Sequence, residues 1–195
     1  MDLLARPVKC DRLLKMLKFN ILAALICFSG IVLAQEPEEG KKDFSGANVG
    51  TEFGLFVGNL LPNQIGGVTE IQGMGGIRAG LKTGHLTFAE AAFTTGNGNG
   101  VEWKNMELSI RMDIPVENLV GSVYIGPDVN YYKPAGSDST KVIFGGHVGG
   151  AVQSMLGRTT WFRFDMKFGI SPGTSMYIGV GFVFRFPGGG GGAGE

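Results

Sequence analysis

The stretch that decides the fold runs from Thr174 to Phe186 and reads TSMYIGVGFVFRF. After Thr174, every second residue is apolar: Met176, Ile178, Val180, Phe182, Phe184 and Phe186. The residues between them form a smaller and more polar set: Ser175, Tyr177, Gly179, Gly181, Val183 and Arg185. Alternation with a period of two predicts a β-strand with two unlike faces.

The preceding segment, 159–170, repeats this design with a sharper contrast between its faces. One face carries Phe162, Phe164, Met166, Phe168 and Ile170. The other face carries Trp161, Arg163, Asp165, Lys167 and Gly169, so that charge lies at its centre. The connector Ser171-Pro172-Gly173 is typical of a turn, and the two segments are therefore predicted to be neighbouring strands.

Eight alternating segments of this kind follow one another from residue 46 onward. Their approximate bounds are 46–57, 70–82, 85–95, 103–114, 119–132, 141–153, 159–170 and 174–186. The third is ambiguous, because Phe88 shares its parity with Glu90; either a bulge or an inward Phe88 would resolve it. No helical periodicity is present after residue 35. An even number of strands with short connectors predicts an all-β fold, an eight-stranded antiparallel up-and-down barrel over 46–186.

The charged residues of the polar face indicate which side of the barrel is inside. They are five acids and five bases: Glu52, Glu90, Glu107, Asp113 and Asp165 with Arg78, Arg111, Arg163, Lys167 and Arg185. His147 shares this face on the sixth strand. Balanced charge suits an enclosed lumen, where each ion needs a partner, and the small residues on the same face suit a narrow interior.

The apolar face carries side chains that a lumen of eight strands would not accommodate. Phe162, Phe164, Met166 and Phe168 come from a single strand, and in lipid they need no partner. Segments of about 10 to 13 residues have the length of strands that cross a bilayer at a tilt. We therefore predict a transmembrane barrel with a charge-filled lumen. A secreted, lipocalin-like binder with the faces reversed is the alternative.

The N-terminal region has the pattern of an export signal. Lys15 and Lys18 precede an apolar run, and Val32-Leu33-Ala34 followed by Gln35 has the form of a cleavage site. We predict that residues 1–34 are a signal peptide, with Met16 as an alternative translation start. An uncleaved membrane anchor is the other interpretation, although the run is shorter than the roughly 20 residues of a spanning helix.

Two further segments flank the predicted barrel. Residues 35–45 are predicted to be a flexible lead-in and 187–195 a glycine-rich flexible tail. Both cysteines, Cys10 and Cys27, precede the predicted cleavage site, so the mature chain would form no disulfide. A formal net charge of zero gives no indication of nucleic-acid binding.

The signal-like residues 16–34, the eight alternating segments and the last strand together resemble small bacterial outer-membrane proteins of the OmpA/OmpX transmembrane-barrel class. The last strand is similar to the insertion signal of that family through Tyr177, Phe182, Phe184 and Phe186. In the family the final aromatic residue normally ends the chain, whereas here Pro187 to Glu195 follow it. The resemblance implies insertion by the barrel-assembly machinery into the outer membrane, as a monomer in contact with membrane lipid and lipopolysaccharide.

The resemblance also implies that both termini are periplasmic. The connectors at 58–69, 96–100, 133–140 and 171–173 would then be extracellular, and those at 83–85, 115–118 and 156–158 periplasmic. We predict a structural or surface-interaction role and a non-porin lumen. A lipid A-modifying enzyme and a narrow solute channel are the alternatives. Because His147 faces the lumen and the acids are matched by bases, we predict no catalytic residue, cofactor or metal site.

Overall fold

A computed structural model describes residues 49–116 and 119–187 of the 195-residue chain. The predicted signal peptide, the lead-in, residues 117 and 118 of one predicted turn, and the tail after Pro187 lie outside the described residues. Within the part that is described, no helix is long and apolar enough to cross a membrane.

Eight strands form a closed antiparallel barrel in sequence order. They are β1 (Val49–Asn63), β2 (Gln72–Lys82), β3 (Thr87–Gly98), β4 (Val101–Val116), β5 (Leu119–Lys133), β6 (Lys141–Met155), β7 (Thr160–Ile170) and β8 (Thr174–Pro187). Each strand pairs with the next, and the seam between β1 and β8 closes the sheet, with Glu52 opposite Arg185. The predicted eight-stranded up-and-down barrel is confirmed.

Two strands are longer at the loop end of the barrel than their side-chain pattern predicts. β1 continues to Asn63, because its pairing with β8 runs on from Gly58 opposite Gly179 to Asn63 opposite Thr174. β3 continues to Gly98, so the predicted loop at 96–100 is reduced to a tight turn. Asn99 and Gly100 form that turn with φ values of 52° and 77°, as a type I′ hairpin requires.

The ambiguity in the third strand is resolved by an inward Phe88. The pairing of β3 with β4 runs without interruption from Thr87 to Gly98, so no bulge is present between these residues. Phe88 is 2% exposed. The guanidinium carbon of Arg111 lies 4.4 Å from the centre of its ring, which explains why an aromatic residue occupies the polar face.

The two faces of the barrel have the opposite polarity to those of a water-soluble protein. Leu108 is 63% exposed and Phe144 is 77% exposed, whereas Arg111 is fully buried inside. Six apolar residues of β4 point outward: Met106, Leu108, Ile110, Met112, Ile114 and Val116. At about 3.3 Å per residue and a tilt of about 45°, this row spans about 23 Å, close to the apolar band of about 25 Å around transmembrane barrels. A lipocalin-like binder does not fit this arrangement.

Candidate functional site

The lumen has apolar side chains at both ends and polar ones between them. A loop-end cluster comprises Phe56, Leu60, Ile65, Val68, Met74, Val101, Trp103, Tyr132 and Tyr177. Trp103 and Tyr132 stack within it, with ring centroids 5.1 Å apart. A turn-end cluster comprises Val120, Trp161 and Val183, with Met155 packed against them. These two clusters bracket the polar interior, which is the candidate site.

Eight charged side chains form one connected central network in the middle of the lumen. Its members are Arg78, Arg111, Arg163 and Arg185 with Glu52, Glu90, Asp113 and Asp165. None of the eight is more than 6% exposed. Because four guanidinium groups face four carboxylates, the central network is electrically neutral.

Arg111 and Arg163 make the shortest contacts of the central network. Arg111 donates from Nη2 to Glu52 Oε2 at 2.9 Å and from Nε to Asp113 Oδ1 at 2.8 Å. Arg163 donates from Nη1 to Glu90 Oε2 at 2.9 Å and from Nη2 to Asp165 Oδ1 at 2.8 Å. Charge-assisted pairs of this geometry are the strong ones in proteins.

The other two arginines connect these pairs across the barrel. Arg78 lies 3.1 Å from Asp165 and 3.4 Å from Glu90. Arg185 donates to Asp113 at 3.0 Å and lies 3.4 Å from Glu52. The central network therefore joins strands β1, β2, β3, β4, β7 and β8 through side chains as well as through the backbone ladder.

Each arginine of the central network also lies over an aromatic ring. The distances from guanidinium carbon to ring centroid are 4.4 Å for Arg78 over Phe56, 4.4 Å for Arg111 over Phe88, 5.5 Å for Arg163 over Tyr124 and 4.4 Å for Arg185 over Trp161. Cation–π contacts of desolvated groups contribute about 2 kcal/mol each. The alternation predicted the inward face for Trp161 and left Phe88 ambiguous, and it did not indicate that either residue pairs with an arginine.

The three other predicted lumen residues, Glu107, His147 and Lys167, lie on the loop side of the central network. Lys167 forms an ion pair with Glu107. Nε2 of His147 and Oγ of Ser109 form a hydrogen bond of 2.9 Å. Nδ1 of His147 lies 3.4 Å from Asp128 Oδ2. Thus the structure places all eleven predicted lumen residues on the inner face. Asp128 and Ser109, which were not among them, join His147 there.

Ser109, His147 and Asp128 have the residue types of a nucleophile, a base and an acid. All three are buried, with exposures of 8%, 3% and 6%. Three of the cavities in the described part of the barrel have volumes of about 30, 10 and 10 Å³. Neither Ser109 nor His147 lines any of these three, and the trio faces away from the lipid. These three cavities therefore offer no room for a substrate beside the Ser109 hydroxyl.

The residues of the predicted insertion signal divide between the two faces of β8. Phe182 and Phe186 point outward, with 49% and 48% of their surface exposed, and Phe184 is half-buried on the same side. Tyr177 points inward and packs edge-on against Phe56, with ring centroids 6.1 Å apart. Its insertion role remains a prediction, and its side chain belongs to the loop-end cluster.

Among residues 49–116 and 119–187, no group of three or more His, Cys, Asp or Glu side chains is arranged to hold a metal ion. The described acids of the central network are each committed to arginines. The chemistry available in the middle of the lumen is therefore ion pairing rather than ligation of a multivalent metal.

Solved structures of outer-membrane barrels share this fold at low sequence identity. The N-terminal β-barrel domain of Pseudomonas aeruginosa OprF superposes with a TM-score of 0.58 at 13% identity, over 71% of this chain and 98% of that one. Neisserial surface protein A gives a TM-score of 0.58 at 12% identity, over 70% and 96%. OprG of Pseudomonas aeruginosa gives 0.53 at 8% identity, over 74% and 99%. No protein-family profile and no curated protein matches the sequence.

Identities this low establish the fold alone. The chain has the fold of the small transmembrane barrels of the bacterial outer membrane, and its resemblance to the OmpA/OmpX class is confirmed at that level. Each of the three structures is covered almost completely, so the likeness extends over the whole barrel.

Proposed function

We propose that this protein is an outer-membrane barrel with a structural or surface-interaction role. The observation that carries the proposal is the reversed polarity of the barrel: an apolar outer band surrounds a neutral network of eight buried ions. The charged groups of the central network are paired with one another, so we expect interactions with other macromolecules at the loops and the lipid-facing surface.

The packed interior supports a non-porin lumen. The side chains of the central network and of the two apolar clusters fill an eight-stranded barrel, as its small radius requires. The largest of the three cavities described above is about 30 Å³, which is room for about two or three water molecules. Solute passage would require these side chains to move together.

The enclosed position of Ser109, His147 and Asp128 supports a non-enzymatic role. An enzyme that modifies lipid A would present its nucleophile to the acyl chains or to the rim. We expect lipid A from cells with and without this gene to give the same mass spectrum. A difference in acylation between the two would favour the enzymatic alternative.

Charged residues at one margin of the outer face support contact with lipopolysaccharide. In the described strands, the charged side chains that point outward are Glu102, Lys104 and Lys133. All three lie at the loop end, where Glu102 is opposite Lys133 in the ladder. Lysines at this margin suit phosphate groups of the outer leaflet. With the loops of this end on the extracellular side, both chain termini would be periplasmic. If the protein is a monomer, the whole apolar band is available to contact lipid.

Cysteine labelling in intact cells tests both the location and the orientation. The mature chain has no cysteine if residues 1–34 are removed. Ser139 lies exposed in the β5–β6 loop, and Gly157 lies in the β6–β7 turn, where a Cβ would meet no atom within 4 Å. We expect a membrane-impermeant maleimide to label Ser139→Cys in intact cells, and Gly157→Cys only after the outer membrane is permeabilised. The reverse pattern would invert the orientation, and equal labelling of both would contradict a spanning barrel.

A further inference from the structure

Asp128 is left over when the enclosed charges of the lumen are paired. The central network is neutral, and Lys167 balances Glu107. Asp128, which is 6% exposed, then has no arginine or lysine within ion-pairing distance in the described structure. Its nearest polar partners are the amide Nδ2 of Asn130 at 2.7 Å and Nδ1 of His147 at 3.4 Å. A carboxylate buried without a countercharge is strongly unfavourable.

Three oxygen atoms converge beside Asp128 at the place where Gly145 lacks a side chain. A Cβ atom built on Gly145 would lie 2.6 Å from Asp128 Oδ1, 2.7 Å from the carbonyl oxygen of Ile170 and 2.9 Å from that of Ser171. A side chain at position 145 would collide with all three oxygens. Glycine at this position therefore allows one carboxylate oxygen and two carbonyl oxygens to lie close together.

The cavity of about 30 Å³ shares Asp128 and Ser171 with this group of oxygens and is lined by buried polar atoms without partners. Asp128, Asn105 and Ser171 are among its lining residues, as are Thr94 and Tyr177. Among the described residues, Asn105 Oδ1, Thr94 Oγ1 and Tyr177 Oη have no hydrogen-bond partner, and the three residues are 7%, 3% and 4% exposed. Buried polar atoms normally have partners, so these atoms indicate that the cavity holds something polar.

We propose that this cavity binds a small monovalent cation of the size of sodium, with Asp128 as its countercharge. The carbonyl oxygens of Ile170 and Ser171 and the amide oxygen of Asn105 would be neutral ligands. Hard cations prefer such oxygen sets. A single unbalanced carboxylate calls for one positive charge, and no described cluster of three acids exists to hold a divalent ion. Gly169, Ser171 and Ser175 are partly exposed at the loop end and provide the entrance.

The competing way to balance Asp128 is a proton on His147. His147 contacts Ser109 through Nε2, faces Asp128 through Nδ1, and has the Tyr124 ring at 6.1 Å between centroids. If His147 is the countercharge, the stability of the barrel follows pH and does not depend on the identity of the salt.

The cation site is independent of the role proposed above, since it would exist in a barrel of any function.

Urea unfolding in salts of different cations distinguishes a bound cation from a protonated His147 as the countercharge of Asp128. The full mature chain, refolded in detergent, is titrated in sodium chloride and in N-methyl-D-glucamine chloride at constant ionic strength. We expect the unfolding constant to fall about tenfold for each tenfold rise in sodium above its dissociation constant. Asp128→Asn should abolish this dependence. Asp165→Asn, which removes a buried carboxylate from the central network, should be less stable but keep it.

Sodium-23 relaxation of the wild-type protein provides a measurement that does not depend on a variant refolding. We expect sodium-23 nuclei to relax faster in the presence of folded protein than in two reference samples. The first reference is the detergent alone, and the second is the protein unfolded in urea in the same detergent. The proposal is overturned if the wild type is indifferent to sodium, if Asp128→Asn keeps the dependence, or if calcium alone stabilises the barrel. Stability that varies only with pH, and loses this variation in His147→Gln, would assign the countercharge to the histidine.

Discussion

Asp165 holds three side chains together in the middle of the lumen. Its carboxylate lies 3.1 Å from Arg78 and 2.8 Å from Arg163, and it accepts a hydrogen bond of 3.2 Å from Tyr124 Oη. The residue is 1% exposed. Gly149 makes room for the tyrosine, since a Cβ there would lie 2.4 Å from the ring. A single carboxylate thus satisfies donors from three different strands.

Asp165→Asn should therefore destabilise the barrel by about 3 kcal/mol, because two buried guanidinium groups lose their shared countercharge. Asp138→Asn is the matched control, since Asp138 is exposed and lies 3.9 Å from Lys133, so its loss should leave stability unchanged. Urea unfolding of the refolded variants measures both. Equal stability of the two variants would contradict an enclosed network.

Parity along a strand predicted the face of each charged residue but not its partner. Arg163 pairs with Glu90, which is on β3 and not on a neighbouring strand, and that contact depends on the stagger of the closed barrel. Ser109 and Asp128 lie on the predicted polar face, but the sequence did not show that they meet at His147. Such a meeting follows from the register between β4, β5 and β6, which is set by pairing and not by composition.

At the level of the strand, β7 and β8 present adjacent aromatic rows to the outside. Phe162 and Phe182 are opposite each other in the ladder, and their rings meet edge-on with centroids 6.2 Å apart. Phe182 lies midway along β8, and Thr174 lies on the same face at the loop end. The outer row of β8 therefore runs from the margin of the apolar band into its middle.

Phe182→Arg should cost about 2 to 4 kcal/mol of folding free energy in lipid, because a charge near the bilayer midplane is poorly solvated. Thr174→Arg, on the same face but at the margin, should cost about 1 kcal/mol or less. Phe182→Leu controls for loss of the ring contact. Heat-modifiable gel mobility and urea titration in lipid vesicles report the folded fraction. Equal effects of the two arginines would mean that the outer face is not in lipid.

The strands could be assigned from the sequence because apolar and polar residues alternate strongly wherever one face of a strand contacts lipid. The contrast weakens toward the loop end of β1, where Gly58, Asn59 and Pro62 interrupt it. The strand continues there because β8 supplies the hydrogen-bonding partner, which is a long-range effect. Phe88 was ambiguous for a related reason: its ring packs on Arg111, and hydrophobicity alone does not distinguish that contact from lipid.

For the whole molecule, the layered lumen predicts the absence of a steady pore. The loop-end cluster, the central network and the turn-end cluster succeed one another along the barrel axis. In planar bilayers, we expect folded wild-type protein to give no sustained stepwise current. Folding is verified in the same preparation by gel mobility, so that an absence of current cannot be attributed to unfolded protein. Regular openings of fixed size would instead support the channel alternative.

The architecture and the polarity of the faces followed from strand length, alternation and charge balance, and the outer-membrane class followed from the resemblance to the OmpA/OmpX barrels. The group of oxygens at Gly145 could not be predicted, because it comes from Asp128 on β5, from Ile170 at the end of β7 and from Ser171 after it, and two of the three oxygens belong to the backbone. Backbone carbonyls carry no sequence signature, so such a group is visible only after folding.

The seam between β1 and β8 has a consequence for the order of events during biogenesis. Glu52 near the start of the barrel and Arg185 near its end are opposite each other in the ladder and 3.4 Å apart through their side chains. A partial sheet that lacks the last strand would carry unmatched charges on the surface destined to be the interior. Strand-by-strand entry into the bilayer would bring those charges into hydrocarbon, so we expect curling of the sheet and entry into the bilayer to advance together.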